Sequence, residues 1–148
     1  MKMRSISSFL ILLLAACCSS KDADSPSSLP VTSMTIGSQN FNVEIATSFH
    51  DQEVGLMHRD HLDSDHGMLF IFPDVQVRNF WNHDVHFPLD LVFLDSSGAI
   101  VSLRHMDAYS DKNVSSDAPA QYTIELNAGT AARLNLHVGD RITVPPQK

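Results

Sequence analysis

Residues Gly67–Asp95 read GMLFIFPDVQVRNFWNHDVHFPLDLVFLD, and two apolar runs inside this stretch decide the fold class. Met68–Phe72 is an apolar run of five bounded by Gly67 and Pro73. It is too short for a helix and reads as a buried strand. Leu89–Leu94, opened by Pro88, carries apolar residues at both parities and reads as a strand covered on both faces. Between them, Val75, Val77 and Asn79 alternate with Gln76, Arg78 and Phe80, which suggests a further strand through Trp81.

Outward from this centre the pattern stays β. Downstream, Asp95-Ser96-Ser97-Gly98 is a tight turn and Ala99–Met106 returns antiparallel. Asp107–Pro119 is a long polar loop without pattern, a kind of segment often functional. Gln121–Leu126 is a strand, and Asn127-Ala128-Gly129 turns into a short helix with Thr130 as N-cap and Leu134 and Leu136 facing the core. Arg141–Val144 is a last strand, ended by Pro145-Pro146. Upstream, Met34 and Ile36, then Phe41, Val43 and Ile45, alternate about a turn at Gly37–Asn40 and predict a hairpin. Ser48 followed by Asp51 marks a helix start, with Phe49, Glu53, Leu56 and Met57 near one face and an end near His58. About eight strands and two short helices result. They predict a mainly β, barrel-like antiparallel sheet whose helices plug an end or cover an edge.

The N-terminus carries an address rather than fold. Lys2 and Arg4 precede the apolar run Phe9–Leu14, which is too short to span a bilayer. Leu14-Ala15-Ala16-Cys17 then resembles the lipobox of bacterial lipoproteins. The expected organisation is a signal peptide over 1–16, a tether over 17–30 lipidated at Cys17, and one domain over 31–148. Cys18 is a weaker candidate for the lipid, because Cys17 would then fill the small-residue slot. Residue 18 is not Asp, which by resemblance to enterobacterial sorting favours the periplasmic face of the outer membrane over the inner membrane. The tether, rich in Ser, Asp and Pro, buries too little to offset its ordering entropy.

The whole chain has 148 residues and a formal charge of −7; without its first 16 residues it has 132, with 8 basic and 17 acidic, formally −9. Such a surface repels nucleic acid and anionic headgroups, so attachment would be by the lipid alone. No cysteine follows Cys18, so the domain is held by packing without a disulfide. A monomer is expected.

Several motifs occur in order: Gly55-Leu56-Met57 with Arg59, Gly67-Met68-Leu69-Phe70 with Phe72, Phe80-Trp81, Pro88-Leu89-Asp90 with Phe93, Asp95, Gly98 and Ile100, Glu125 with Asn127-Ala128-Gly129, and Gly139-Asp140. This succession resembles the bacterial and archaeal family called domain of unknown function 192. The resemblance covers roughly Met34–Val144. It implies a compact β-rich domain, often exported, and supplies no activity. The chain differs from the pattern at Val54, usually Arg, and at Asn82-His83-Asp84-Val85, usually Met-x-Asn-Thr. Asp84 and Val85 either retune a polar site or mark its loss.

Three readings of function remain. The first is a non-catalytic binding or accessory module for a small molecule, glycan or envelope protein. Its cleft would be lined by Phe80 and Trp81 with Arg78, Asp84, His86 and Asp90, Arg78 and Asp90 forming a polar pair. Plain core packing is the competing account of the aromatic pair. The second is an envelope hydrolase using Asp90 with His86 or Asp84 as acid and base. The third is a metal-binding protein using His83, His86 and Asp90, although eight histidines on an acidic surface are more simply solvated. The first reading is favoured, and it carries no cofactor and no metal. No Gly-x-Ser-x-Gly elbow, phosphate loop or dinucleotide fingerprint occurs.

Overall fold

The computed structural model describes residues 29–146. The expected signal peptide, Cys17 and most of the expected tether therefore lie outside the described residues. At the start of the described chain, Leu29 packs against the core and the Pro30 carbonyl accepts from the Ile45 N–H at 2.9 Å.

Eight strands and two short helices follow: β1 (Val31–Ile36), β2 (Gln39–Ala46), α1 (Phe49–Val54), β3 (His66–Gln76), β4 (Asn79–Asn82), β5 (Leu89–Leu94), β6 (Ile100–Met106), β7 (Ser110–Ser115), β8 (Ala120–Asn127) and α2 (Thr130–Arg133). Six strands form one sheet in the order β1-β2-β3-β8-β5-β6, and β4 pairs with β7 in a second sheet of two. The fold is mainly β, as expected. The main sheet is open, with β1 and β6 at its two edges, so the barrel-like expectation is corrected to an open sheet. It is also mixed: β2 and β3 run parallel, joined by a crossover that contains α1.

The central strands explain why their apolar runs lack alternation. Side chains of a strand point alternately to opposite faces. In β5, Leu89, Leu91 and Phe93 enter one core while Val92 and Leu94 enter the other. In β3, Met68 and Phe70 divide from Leu69 and Ile71 in the same way. The first core lies under β4, β7 and the chain that follows α1, through Phe80, Val114 and Leu56. The second is covered by α2 and the C-terminal segment, through Leu134, Leu136 and Ile142. One sheet thus separates two cores, and all six residues of β5 are buried.

Several local expectations are corrected. β3 runs on through Pro73 to Gln76, with an irregular register after Ile71. Arg78 lies in the connection to β4 rather than on a strand. Asp107–Pro119 contains β7, which pairs with β4. Arg141–Val144 is no strand; it makes a single bridge, Arg141 to Ala99, and buries Ile142. These last two corrections offset each other in the strand count. Gly98 sits in the turn before β6 at φ +80°, and a Cβ there would collide with the Ile142 carbonyl oxygen.

Ser48 caps α1 as expected, its hydroxyl accepting from the Asp51 N–H at 3.1 Å. The helix stops at Val54, however, short of the expected end near His58, and Phe49 is exposed. Gly55, at φ +49°, ends it with its N–H on the Asp51 carbonyl. Gly129 rather than Thr130 is the N-cap of α2, and Thr130 is buried. The capping acceptor comes from β5: Asp90 Oδ2 accepts the Ala131 N–H at 2.9 Å.

Candidate functional site

The first core is not filled up to its cover. A cleft of about 330 Å³ remains between the α1 region, the outer half of β3, β4 and β8. Its size falls at the lower end of the range for small-molecule sites, about 300–1,000 Å³. The walls are apolar and aromatic, with Leu56, Phe70, Phe72, Phe80 and Val85 among them. Phe80 meets Phe70, Phe72 and Phe93 edge to face, with centroids 5.1, 6.3 and 5.7 Å apart. It therefore works as core packing and as cleft wall at once. Trp81 lies at the rim, half exposed, and stacks on His83 at 5.1 Å.

Gln52, Glu53, Asn79, Asn82 and Glu125 supply the polar side chains of the lining, and three of them, Glu125, Asn82 and Gln52, are buried or half-buried. Glu125 projects from β8 between Met68 of β3 and Leu91 of β5, its uncharged cross-strand neighbours. It is buried, and among the described residues no donor reaches its carboxyl. Burial pushes its pKa up to about 8, and nearby Arg59 offsets only part of this. Arg59 is engaged elsewhere, its Nη1 and Nη2 donating to the two Glu44 oxygens at 2.6 and 2.8 Å. That bond holds the guanidinium above its ordinary pKa.

Asn82 ends β4 and is fully buried. Its Nδ2 donates to the Phe87 carbonyl at 3.0 Å and the Asp107 carbonyl at 2.8 Å, which holds the loop after β4 against the approach to β7. Its Oδ1 has no partner among the described residues. The amide cannot be turned round, because its oxygen would then oppose two carbonyls. Gln52 of α1 repeats the arrangement: Nε2 donates to the carbonyls of Ala46 and Ile71, at 3.3 and 2.7 Å.

The structure distributes the expected site residues differently. Phe80 and Trp81 join the cleft; Arg78 and Asp90 do not, and they do not pair. Arg78 lies over the Phe72 ring at 4.0 Å, donates from Nε to the Ala120 carbonyl at 3.0 Å and from Nη2 to the Asp74 carboxylate at 2.6 Å. This bond holds the Asp74 carboxyl below its ordinary range. Arg78 thus ties the end of β3 to the start of β8. Asp90 points to the opposite face of the sheet, where it caps α2 and faces His105 Nδ1 at 3.6 Å.

Asp84 and His86 belong to a surface cluster near the cleft mouth. Asp84 Oδ2 is 2.6 Å from His58 Nδ1, and its carbonyl accepts the His58 N–H at 2.9 Å. Both residues have positive φ, 53° and 64°, so each loop holds the other in a left-handed conformation. His86 Nδ1 is 3.0 Å from Asp60 Oδ1, and its ring stacks on Tyr109. With Asp90 across the sheet, the acid–base set Asp90, His86 and Asp84 is not assembled. The metal set His83, His86 and Asp90 is not assembled either: His83 pairs with Asp111 at 2.5 Å. Among the described residues, no group of three metal-ligating side chains forms.

Sequence reasoning missed Glu125, Asn82 and Gln52 as site residues. The signal for Glu125 was the one that drew attention to Asp90, a lone carboxylate inside an apolar strand. Gln52 offered no such contrast, since it sits among polar neighbours, and Asn82 stood only at the start of the polar loop beside Phe80-Trp81.

Comparison with known proteins agrees with the fold. A family model, domain of unknown function 192, described as an uncharacterized ACR, matches residues 32–144. A solved structure from Sinorhizobium meliloti 1021, described as a proposed transcription regulator, is 34% identical with a TM-score of 0.70, covering 75% of this chain and 89% of that one. A protein of unknown function from Novosphingobium aromaticivorans is 27% identical with a TM-score of 0.73, covering 80% and 88%. No curated protein matches the chain.

Proposed function

We propose, for a chain that belongs to the domain of unknown function 192 family, a non-catalytic binding module that takes a small molecule into the Phe80 cleft and is held at the cell envelope by a lipid on Cys17. One observation carries the binding reading. The cleft pairs aromatic walls with a buried carboxyl, Glu125, and with a buried amide oxygen, Asn82 Oδ1, that has no partner among the described residues. An unsatisfied buried polar atom costs stability, about 1–3 kcal/mol, and calls for a partner that the chain itself does not supply.

A thermal-shift survey of small aromatic and aliphatic compounds tests this. At least one compound should raise Tm, and Met57→Trp, which places bulk in the cleft, should abolish the rise. No rise with any compound, together with a Met57→Trp protein more stable than the parent, would reduce the cleft to a packing gap.

The anchor rests on Leu14-Ala15-Ala16-Cys17 and the short apolar run before it. The proposed place is the periplasmic face of the outer membrane. Cys17→Ala should move the protein from the membrane to the soluble fraction and end labelling by radioactive palmitate; unchanged membrane association would contradict the anchor. Transcription regulation, the description of the Sinorhizobium meliloti structure, is not favoured for this chain. A formal charge of −7 opposes contact with phosphates.

A further inference from the structure

We propose that the cleft selects a small organic cation, a primary ammonium on an apolar body, with its head among Gln52, Asn82 and Glu125. This inference rests on the binding reading above and names the ligand class of the same site.

Two amides that line the cleft keep their oxygens free while their nitrogens are engaged. Asn82 uses Nδ2 on two carbonyls and leaves Oδ1 unpartnered and buried. Gln52 likewise uses Nε2 on two carbonyls, so only its Oε1 is left to a ligand. Glu125 adds a carboxyl that no donor among the described residues reaches. The nearby donor-rich side chain, Arg59, is engaged by both oxygens of Glu44. Asn79 and Trp81, which also carry donors, stand at the exposed rim.

Such a floor discriminates by chemistry. An ammonium brings three donors and no acceptor. An alcohol brings one donor and no charge, so it gains nothing from ionisation of Glu125. A carboxylate or phosphate would set negative oxygens against the unpartnered Asn82 Oδ1 and against a Glu125 that must then stay protonated. The aromatic walls act in the same direction, because ring faces attract cations and their area accommodates an apolar body. Glu53 at the rim and the overall charge of −7 favour a cation further.

The charges facing Glu125 are few. Met68 and Leu91 flank it across the sheet without charge. Arg59 and Glu44 cancel as a pair, Glu53 lies at the rim, and Asp90 and His105 occupy the other face. At neutral pH the empty cleft therefore holds Glu125 as the neutral acid. An arriving ammonium favours the carboxylate, and the proton leaves to solvent. Binding is thus linked to release of up to one proton below about pH 8.

Titration of the full chain with 2-phenylethylammonium and with 2-phenylethanol, in phosphate buffer, tests this. The amine's Kd should fall by up to about tenfold per unit between about pH 6 and about pH 8 and then level off. The alcohol should bind at least about tenfold more weakly, without that slope, since it lacks the charge and two of the donors. Glu125→Gln should remove the slope for the amine; if that variant fails to fold, the wild-type slope decides. Alcohol binding as tight as the amine's, or amine binding flat with pH, overturns the cation while leaving the cleft as a binding site. Binding by neither compound overturns the cation, and the survey above, with cationic, neutral and anionic compounds, then decides whether the cleft reading falls too.

Discussion

Asp90 and Glu125 are both carboxylates set into apolar strands, and the faces they occupy separate their roles. Asp90 is met by the Ala131 N–H and becomes the cap of a helix distant in sequence. Glu125 is met by hydrocarbon and an already paired arginine, so desolvation dominates. The consequence for stability has a definite sign. The folded protein holds the Glu125 proton up to about pH 8, whereas the unfolded chain releases it near 4.5. Between those values the native state binds more protons, so stability falls as pH rises. Denaturant unfolding of wild type and Glu125→Gln across this range should show the variant gaining on the wild type by an amount on the order of a few kcal/mol. A constant difference between the two would contradict a neutral acid in the cleft. Asp90 was legible in the sequence as a carboxylate inside an apolar strand, and Glu125 was not singled out. Their partners were not legible, because the face a strand residue occupies follows from strand order, and that order places β8 between β3 and β5.

The elements show where the apolar pattern suffices and where it fails. β3 and β5 were readable because burial on both faces leaves apolar residues at both parities. The hairpin of β1 and β2 was readable because alternation matches one buried face. β7 was not, since SDKNVS has a single apolar residue, Val114, paired with Phe80. The strand is stabilised mainly by ladder bonds to β4, which leave no mark in hydropathy. Arg141–Val144 misled in the opposite sense: Ile142 is buried, yet its N–H joins the Gly98 carbonyl at a turn rather than a ladder. The aromatic pair on β4 separates packing from surface. Phe80→Ala should cost about 3 kcal/mol, since three rings lose their edge contact. Trp81→Ala should cost less than about 1 kcal/mol, because the ring is half exposed and stacks on a surface histidine. Equal losses in urea unfolding would contradict the division of β4 into one packed ring and one surface ring.

At the scale of the molecule, one open sheet divides two cores, and the cleft lies on the face covered by β4 and β7. That side depends on short strands and loops for its cover, whereas the other is covered by α2 and the C-terminal segment. The segment Asn82–Val85 supplies both the orphan oxygen of Asn82 and the Val85 wall. Mapping amide chemical shifts of the labelled protein during titration with a binding compound tests the site most directly. The shifted peaks should gather at Gln52–Met57, Phe70–Phe72, Asn79–Val85 and Glu125, with Asp90 and α2 unmoved. Shifts centred on α2 and Asp90, or no shifts with any compound, would contradict binding in the Phe80 cleft.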